Sequence, residues 1–547
     1  MKIDDFFDRN SKSNFYLGMI SQVYRDSAYV QVENLSLLNH RNIRLEILIP
    51  NTINYFVVID SVQGLFMGEV CQSKVISSYP SYKSLTSADK ENVFPQIGLN
   101  IIGCLGGDKF QLAGFKTVGI TDKVYIANTK LVHKYLHSME INDYIVSNSQ
   151  KVKSFQHPLN NIAKVDNFDN EYLSLQPNTL FDRHLMVIGT TNSGKSTSSL
   201  SILDKLLLSH KKTLIIDPTG EYSHSFHDDE VDSITLGEDV FLSTNDLDDE
   251  FWINFFNVNG IESSYKAALL SDAIASLRYQ YSKNIKSPLI KENQEVAVLL
   301  SKIDEVESKE FNIRLLVDQI KYEAVKQKKD KVGIYTFQSD GNLYNSGIWL
   351  MKEVSYALQS ELIKKFFCFD GLKGNQSLLY KLDTFLKKEN KKSLYINASS
   401  ISMTDSTGKT IINLITKYIV EKKENDDAFV LFIDEVHRYT HKSDAESGLV
   451  QIAREGRKKG IFLFLTTQNP KDVPEVLLGQ IGSLIIHRLT QFGELQAIQN
   501  QVDPDTLLQI KKLNQGEAIL TSINLLQDMH IHFIASNRIH YNKTPIL

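Results

Sequence analysis

Leu185-Met-Val-Ile-Gly-Thr-Thr-Asn-Ser-Gly-Lys-Ser196 is the stretch whose reading decides the fold. Its last eight residues, Gly189 to Ser196, fit the phosphate-loop pattern G-x-x-x-x-G-K-S/T. The apolar run Leu185 to Ile188 supplies the strand that pattern needs. Leu200, Ile202, Leu203, Leu206 and Leu207 then continue an amphipathic helix. Backbone N–H groups of such a loop, backed by the N-terminus of the helix, make a nest for phosphate oxygens, so glycines stand where a side chain would block approach. The expected contacts with a nucleoside triphosphate run through Gly189, Thr190, Thr191, Asn192, Ser193, Gly194, Lys195, Ser196 and Thr197. Lys195 is placed to reach the β and γ phosphates, and Ser196 to offer its hydroxyl to Mg²⁺.

Outward from this loop, apolar strands alternate with helical segments: Thr213 to Ile216, Ser233 to Leu236, Ser393 to Ile396, Phe429 to Ile433, Ile461 to Leu465 and Ser483 to Ile486. Continuous apolar strands buried on both faces imply a largely parallel sheet with helices on each side. Between 261 and 390 the period becomes helical, which reads as an insertion, and its Lys321, Lys326, Lys328, Lys329 and Lys331 read as a solvated face or a DNA contact. From Asn14 to Ile126 short alternating segments and frequent glycines predict a small β-barrel or sandwich. The expected organisation is a β-domain at 1–150, a connection at 151–182, a nucleotide core at 183–260 and 391–536 interrupted by the helical insertion at 261–390, and a tail at 537–547.

The 547 residues exceed a single compact core and suit roughly three to four domain-sized units. With 42% hydrophobic and 23% charged residues, the chain is ordinary globular material rather than a disordered or fibrous one. Cys71, Cys104 and Cys368 have neither metal-ligand spacing nor the pattern of a disulfide framework, which fits a reducing cytoplasm. The apolar runs are too short to span a bilayer, so no membrane partner is expected. A net charge of -5 means that any nucleic-acid contact must use a local basic surface.

Phe429-Val-Leu-Phe-Ile-Asp-Glu435 ends a buried strand in two adjacent carboxylates. Asp434 can hold Mg²⁺ through its waters, and Glu435 can orient and deprotonate an attacking water. Kinases do not need that second residue, so the pair argues for hydrolysis over phosphoryl transfer to another substrate. Gln468, after the strand Ile461 to Leu465, reads either as a γ-phosphate sensor or as a capping glutamine. Arg454, Arg457, Lys458, Lys459 and Arg488 read as transition-state cations or as surface pairs. Thr407-Gly-Lys-Thr410 lacks the first glycine of a phosphate loop, Met403 standing there, and reads as a helix start. Asp304, Glu307 and Lys309 lie in a charge-alternating run rather than at a strand end, so no nuclease centre is read there.

With these pieces placed, the chain resembles the HerA family of hexameric DNA translocases, related to the FtsK motors. The residues that carry the resemblance are Arg183 to Ser196, Ile215-Ile-Asp-Pro-Thr-Gly-Glu-Tyr222, Phe432-Ile-Asp-Glu-Val-His-Arg438, Arg454-Glu-Gly-Arg-Lys-Lys-Gly460, Thr466-Thr-Gln468 and Leu513-Asn-Gln-Gly-Glu-Ala518. The resemblance implies an α/β fold, a RecA-like P-loop ATPase core preceded by a small barrel, assembled as a homo-hexamer with ATP at each interface and double-stranded DNA in the channel. It implies Lys195 and Ser196 on phosphate and metal, Asp434 and Glu435 on Mg²⁺ and water, and Gln468 as sensor. Asp217 and Glu221 match the motif after the second strand and are assigned to support the site or its coupling to DNA. Arg183 and Arg457 are assigned to the nucleotide in cis or across the interface. Apart from the resemblance, the tail residues Arg538, His540 and Lys543 read either as reaching over a neighbour's nucleotide or as a disordered chain end. Asn192 departs from the glycine many members carry, at a position where asparagine tolerates left-handed angles. The expected function is a cytoplasmic, DNA-stimulated ATPase that translocates on duplex DNA with a separately encoded nuclease. The alternative is an ATPase scaffold for a sirtuin-like NADase or a nuclease in anti-phage defence.

Overall fold

The computed structural model describes the chain apart from residues 1, 9–11, 34, 40, 44–45, 49–52, 76–93, 142–158, 166–170, 257, 259–263, 330, 369–375, 401–405, 425–426, 441–446 and 541–547. In the first domain Ser27–Val32, Tyr16–Val23, Lys123–Ile126, Phe56–Ser61, Gly64–Val75 and Pro95–Gly106 pair as antiparallel neighbours in that order, and the last returns to the first. The sheet is therefore a closed barrel, an arrangement that leaves no strand edge to aggregate. Strand Phe56–Ser61 shows why its apolar run is continuous. Val57 and Ile59 fill the barrel interior with Leu17, Val30, Phe66 and Leu99, while Phe56 and Val58 face outward into a second cluster. That second cluster includes Leu159, Ile162, Leu520 and Phe533, so barrel and nucleotide core share buried apolar surface.

The central sheet has eleven strands. Ser483–Ile486, Leu185–Ile188, Ile461–Thr467, Phe429–Ile433, Thr213–Asp217, Ser393–Asn397 and Val231–Thr235 run parallel in that order. Beyond Ser483–Ile486 the sheet turns antiparallel, through Glu517–Ser522, Met529–Phe533, Leu159–Val165 and Tyr172–Leu175. The stretch 151–182, expected as a connection, thus carries two strands of the core. Its alternation is blurred by a register shift between Leu159 and Ala163, where Asn161 takes φ 49°.

The insertion contains the expected helices, among them Ser264–Ser282, Val296–Asp304, Leu316–Tyr322 and Gly341–Ala357, packed through Leu270, Ile274, Leu350 and Val354 on the main core. It also contains a hairpin, Val325–Lys329 against Tyr335–Ser339, which places Lys326, Lys328 and Lys329 on a strand instead of a helix. Lys291 and Glu323 form a buried ion pair beneath it, with Ser276 and Gln319 donating to the same carboxylate. Among the described residues no helix is long and apolar enough to cross a membrane.

Candidate active site

Parallel strands of one sheet end at a common edge, so whatever follows them converges there. Four neighbouring strands here end in the phosphate loop, Gln468, Asp434-Glu435 and the turn Thr219 to Glu221. The loop turns into the helix Lys195–Leu208 through two left-handed residues, Asn192 at φ 63° and Gly194 at φ 113°. A Cβ on Gly194 would stand 2.9 Å from Gly516 Cα, and one on Gly189 2.5 Å from Ser193 Oγ. These glycines therefore serve close approach as well as phosphate access. Ser193 Oγ donates to Thr190 O at 2.7 Å, Gly516 N to Ser193 O at 3.0 Å, and Gln515 Nε2 to Asn192 Oδ1 at 2.9 Å. The asparagine that departs from glycine thus keeps the left-handed turn and gains a partner.

Beneath the loop lies His487, which sequence reasoning did not single out. Its Nδ1–H donates to the Glu517 carbonyl at 2.8 Å, and with Nδ1 carrying the proton a neutral ring leaves Nε2 as an acceptor 2.8 Å from Ser198 Oγ, whose single hydroxyl proton also has the Lys195 carbonyl at 2.9 Å. Burial pushes its pKa down to about 4, which keeps that tautomer uncharged.

Lys195 and Glu435 form an ion pair whose side chains are 7% and 6% exposed. Gln468 Nε2 donates to the same Glu435 oxygen at 2.6 Å, while its own carbonyl accepts from Thr191 Oγ1 at 2.9 Å. Burial alone would raise the Glu435 carboxyl, but the charge of Lys195 and the bonds from Lys195 and Gln468 hold it below the usual range. Glu435 sits at φ 49°, a left-handed angle uncommon for a residue with a side chain. Its Oε2 is buried without a hydrogen-bond partner, with His437 Nδ1 3.3 Å away. Asp434 is buried and accepts from Thr466 Oγ1 at 2.5 Å, and burial together with the Glu435 charge raises its pKa to about 7. Ser196 Oγ donates to Glu221 Oε2 at 3.2 Å.

These groups line a cleft of about 360 Å³, together with Thr190, Asn192, Gly194, Thr197, Thr219, Gly220, Arg438 and Gln515. A larger cavity, about 780 Å³, lies between barrel and core, but no phosphate-loop residue lines it. The donor set of the smaller cleft suits a hard cation: the Ser196 hydroxyl, the carboxylates of Asp434 and Glu221, and the unsatisfied Glu435 oxygen are all oxygens. Among the described residues no group of three His, Cys, Asp or Glu stands ready to hold a metal alone. Mg²⁺ takes one or two carboxylates and completes its shell with phosphates and water, which the oxygens of this cleft would allow.

Asp217 supports the site from behind it, and Arg183, Arg457 and Arg538 lie away from their own subunit's cleft. Asp217 does not face the cleft; it is fully buried and accepts from Thr219 N, Gly220 N, Tyr222 N and Tyr395 Oη at 2.8–2.9 Å, so it shapes the turn that presents Glu221. Arg183 and Arg457 precede the strands Leu185–Ile188 and Ile461–Thr467, at the edge of the sheet opposite the loop, where Arg457 pairs with Asp182 at 3.0 Å. A four-residue strand spans about 13 Å, which sets both arginines apart from the phosphate loop of their own subunit. Arg538 is bound within its own subunit, to Asp204 at 2.5 Å and Glu230 at 2.9 Å, and does not reach outward.

A family model for the central domain of helicase HerA matches residues 162–361, and one for the HerA-like C-terminal region matches 416–525. The probable DNA double-strand break repair helicase HerA of Methanocaldococcus jannaschii is 23% identical over 401 residues, covering 66% of this chain and 73% of that protein. The DNA double-strand break repair helicase HerA of Sulfurisphaera tokodaii is 24% identical over 356 residues, 62% of each chain. Among solved structures, VirB4 of Thermoanaerobacter pseudethanolicus aligns with TM-score 0.48 at 11% identity, over 69% of this chain and 96% of that one. The plasmid coupling protein TrwB with a non-hydrolysable ATP analogue aligns with TM-score 0.46 at 14% identity, over 70% and 91%. The two family models cover the loop, both carboxylates, Gln468 and Gln515, the segments that build the cleft, and the chain belongs to the HerA family of P-loop ATPases.

Proposed function

We propose that this protein is a cytoplasmic, ring-forming ATPase, stimulated by DNA, that translocates on double-stranded DNA and works with a separately encoded nuclease. The observation that carries the hydrolytic part is the buried cluster of Lys195, Glu435 and Gln468 beside Ser196 and Asp434. Glu435 holds Lys195. An incoming triphosphate competes for that ammonium, and Glu435, released from Lys195 yet still held by Gln468, is freed to orient and deprotonate a water. Ser196 and Asp434 would hold Mg²⁺, which when bound neutralises charge developing on the β and γ oxygens. Gln468 bridges Glu435 to Thr191 of the loop, so a change at the phosphates is passed directly to the strand that carries Gln468.

Contact between subunits, as a ring of six would make, fits the far-edge position of Arg183 and Arg457, which suits a neighbour's site. The DNA part rests on the relatives named as DNA double-strand break repair helicases. The test is ATP turnover with and without duplex DNA, together with the solution mass. A DNA-stimulated hexamer is expected; a monomer with full turnover indifferent to DNA would overturn the motor reading.

A further inference from the structure

Arg438 lines the nucleotide cleft but has no assigned role. The chain reaches it by an unusual path. The strand Phe429–Ile433 ends, Glu435 turns left-handed, and one 3-10 turn, Val436–Arg438, follows with Val436 buried as its anchor and Arg438 N bonded to Glu435 O at 3.0 Å. That turn carries Arg438 into the lining of the same cleft as Lys195, Glu435 and Gln468, and Lys195 is the group expected to reach the β and γ phosphates. The charges make the position informative. Lys195 is neutralised by Glu435, and the cleft's other carboxylates are Asp434 and Glu221. Arg438 is the remaining cation among the described residues that line the cleft; its side chain is exposed, and no hydrogen bond or ion pair to a described residue holds its guanidinium. Arginine's planar fork matches a phosphate edge, and side chains that wait unpaired at such a cleft lose no partner when phosphate arrives.

We propose that Arg438 binds the γ-phosphate of the nucleotide in its own subunit, and so makes the site prefer triphosphate over diphosphate. The inference rests on the ATPase reading above and adds a cation in cis to any that a neighbour supplies. The test uses the full chain with Arg438→Ala and Arg438→Lys, each titrated with a non-hydrolysable ATP analogue and with ADP in the presence of Mg²⁺, and checked by thermal unfolding. Losing one charge-assisted hydrogen bond should weaken the ATP analogue about 10- to 100-fold in Arg438→Ala. ADP affinity should change less than about threefold, and Arg438→Lys should recover part of the loss. Equal loss for both nucleotides, or no loss for either, would overturn the assignment. Wild-type protein that binds neither nucleotide would overturn the ATPase reading along with it. Mixed rings of Arg438→Ala with Glu435→Gln subunits separate cis from trans. No recovery of turnover is expected, and recovery would show that Arg438 serves a neighbour instead.

Discussion

Replacing Glu435 by Gln should make the nucleotide-free protein less stable, its nucleotide affinity higher, and its turnover slower, all from one change. The pair it breaks is nearly buried, with Lys195 7% and Glu435 6% exposed in their side chains. Removing one member of a buried ion pair costs about 3–5 kcal/mol, because the other charge stays desolvated without compensation. Glutamine keeps the shape and the contact with Gln468, and the cleft admits water, so the lower end, about 3 kcal/mol, applies. For a domain of this size that corresponds to a melting temperature roughly 6 °C lower without nucleotide. A triphosphate supplies the negative charge that Lys195 lost, so saturating ATP analogue should close the gap. By the same cycle the variant no longer spends that free energy on releasing Lys195, and it should bind the analogue up to about 100-fold more tightly. Hydrolysis should fall by about two orders of magnitude or more, as expected for losing a positioned base. Differential scanning fluorimetry with and without analogue, calorimetric titration and steady-state turnover read the three effects. Unchanged stability without nucleotide together with weaker binding would refute the view that Glu435 and phosphate compete for Lys195.

Gly194→Ala should abolish nucleotide binding while leaving the barrel folded, since its φ of 113° disfavours a side chain and the new Cβ would meet Gly516 backbone at 2.9 Å; a variant titrating like wild type would show that the loop yields there. His487 is held at a pKa of about 4, below its unfolded value near 6.5, so the unfolded chain binds a proton between those values that the folded chain refuses. Its contribution is therefore fully present above about pH 6.5 and lost as pH falls toward 4, about 3 kcal/mol at most; His487→Gln should flatten part of the fall in melting temperature between pH 7 and 4.5, and an identical pH profile would discount it. Arg183→Ala and Arg457→Ala should leave nucleotide binding by separated subunits intact and lower turnover only in the assembled ring; turnover unchanged in both would remove them from the site.

The strand-loop-helix around Gly189 and the Asp434-Glu435 pair were legible in the sequence because their chemistry is local. A phosphate nest needs glycines at fixed spacing after a strand, and a hydrolytic pair needs to follow a buried one, whatever the rest of the chain does. The short apolar segments and frequent glycines of 14–126 also spoke for strands, but the burial of Phe56 to Ile59 on both faces followed only from the barrel's packing on the core. What local order could not supply is which strand lies beside which, and in which direction. Strand order brings Gln468, Arg438 and Gln515 to one cleft from segments far apart, and it sends Asp217 inward to hold a turn although it stands in the same motif as Glu221. Direction puts Arg183, six residues before Gly189, at the opposite edge of the sheet. The two strands hidden in 159–175, the salt bridges that tie down Arg538, and the neutral histidine beneath the loop follow from the same cause. Each depends on partners more than a hundred residues away or on a bulge that breaks the period, and only the closed tertiary packing decides those.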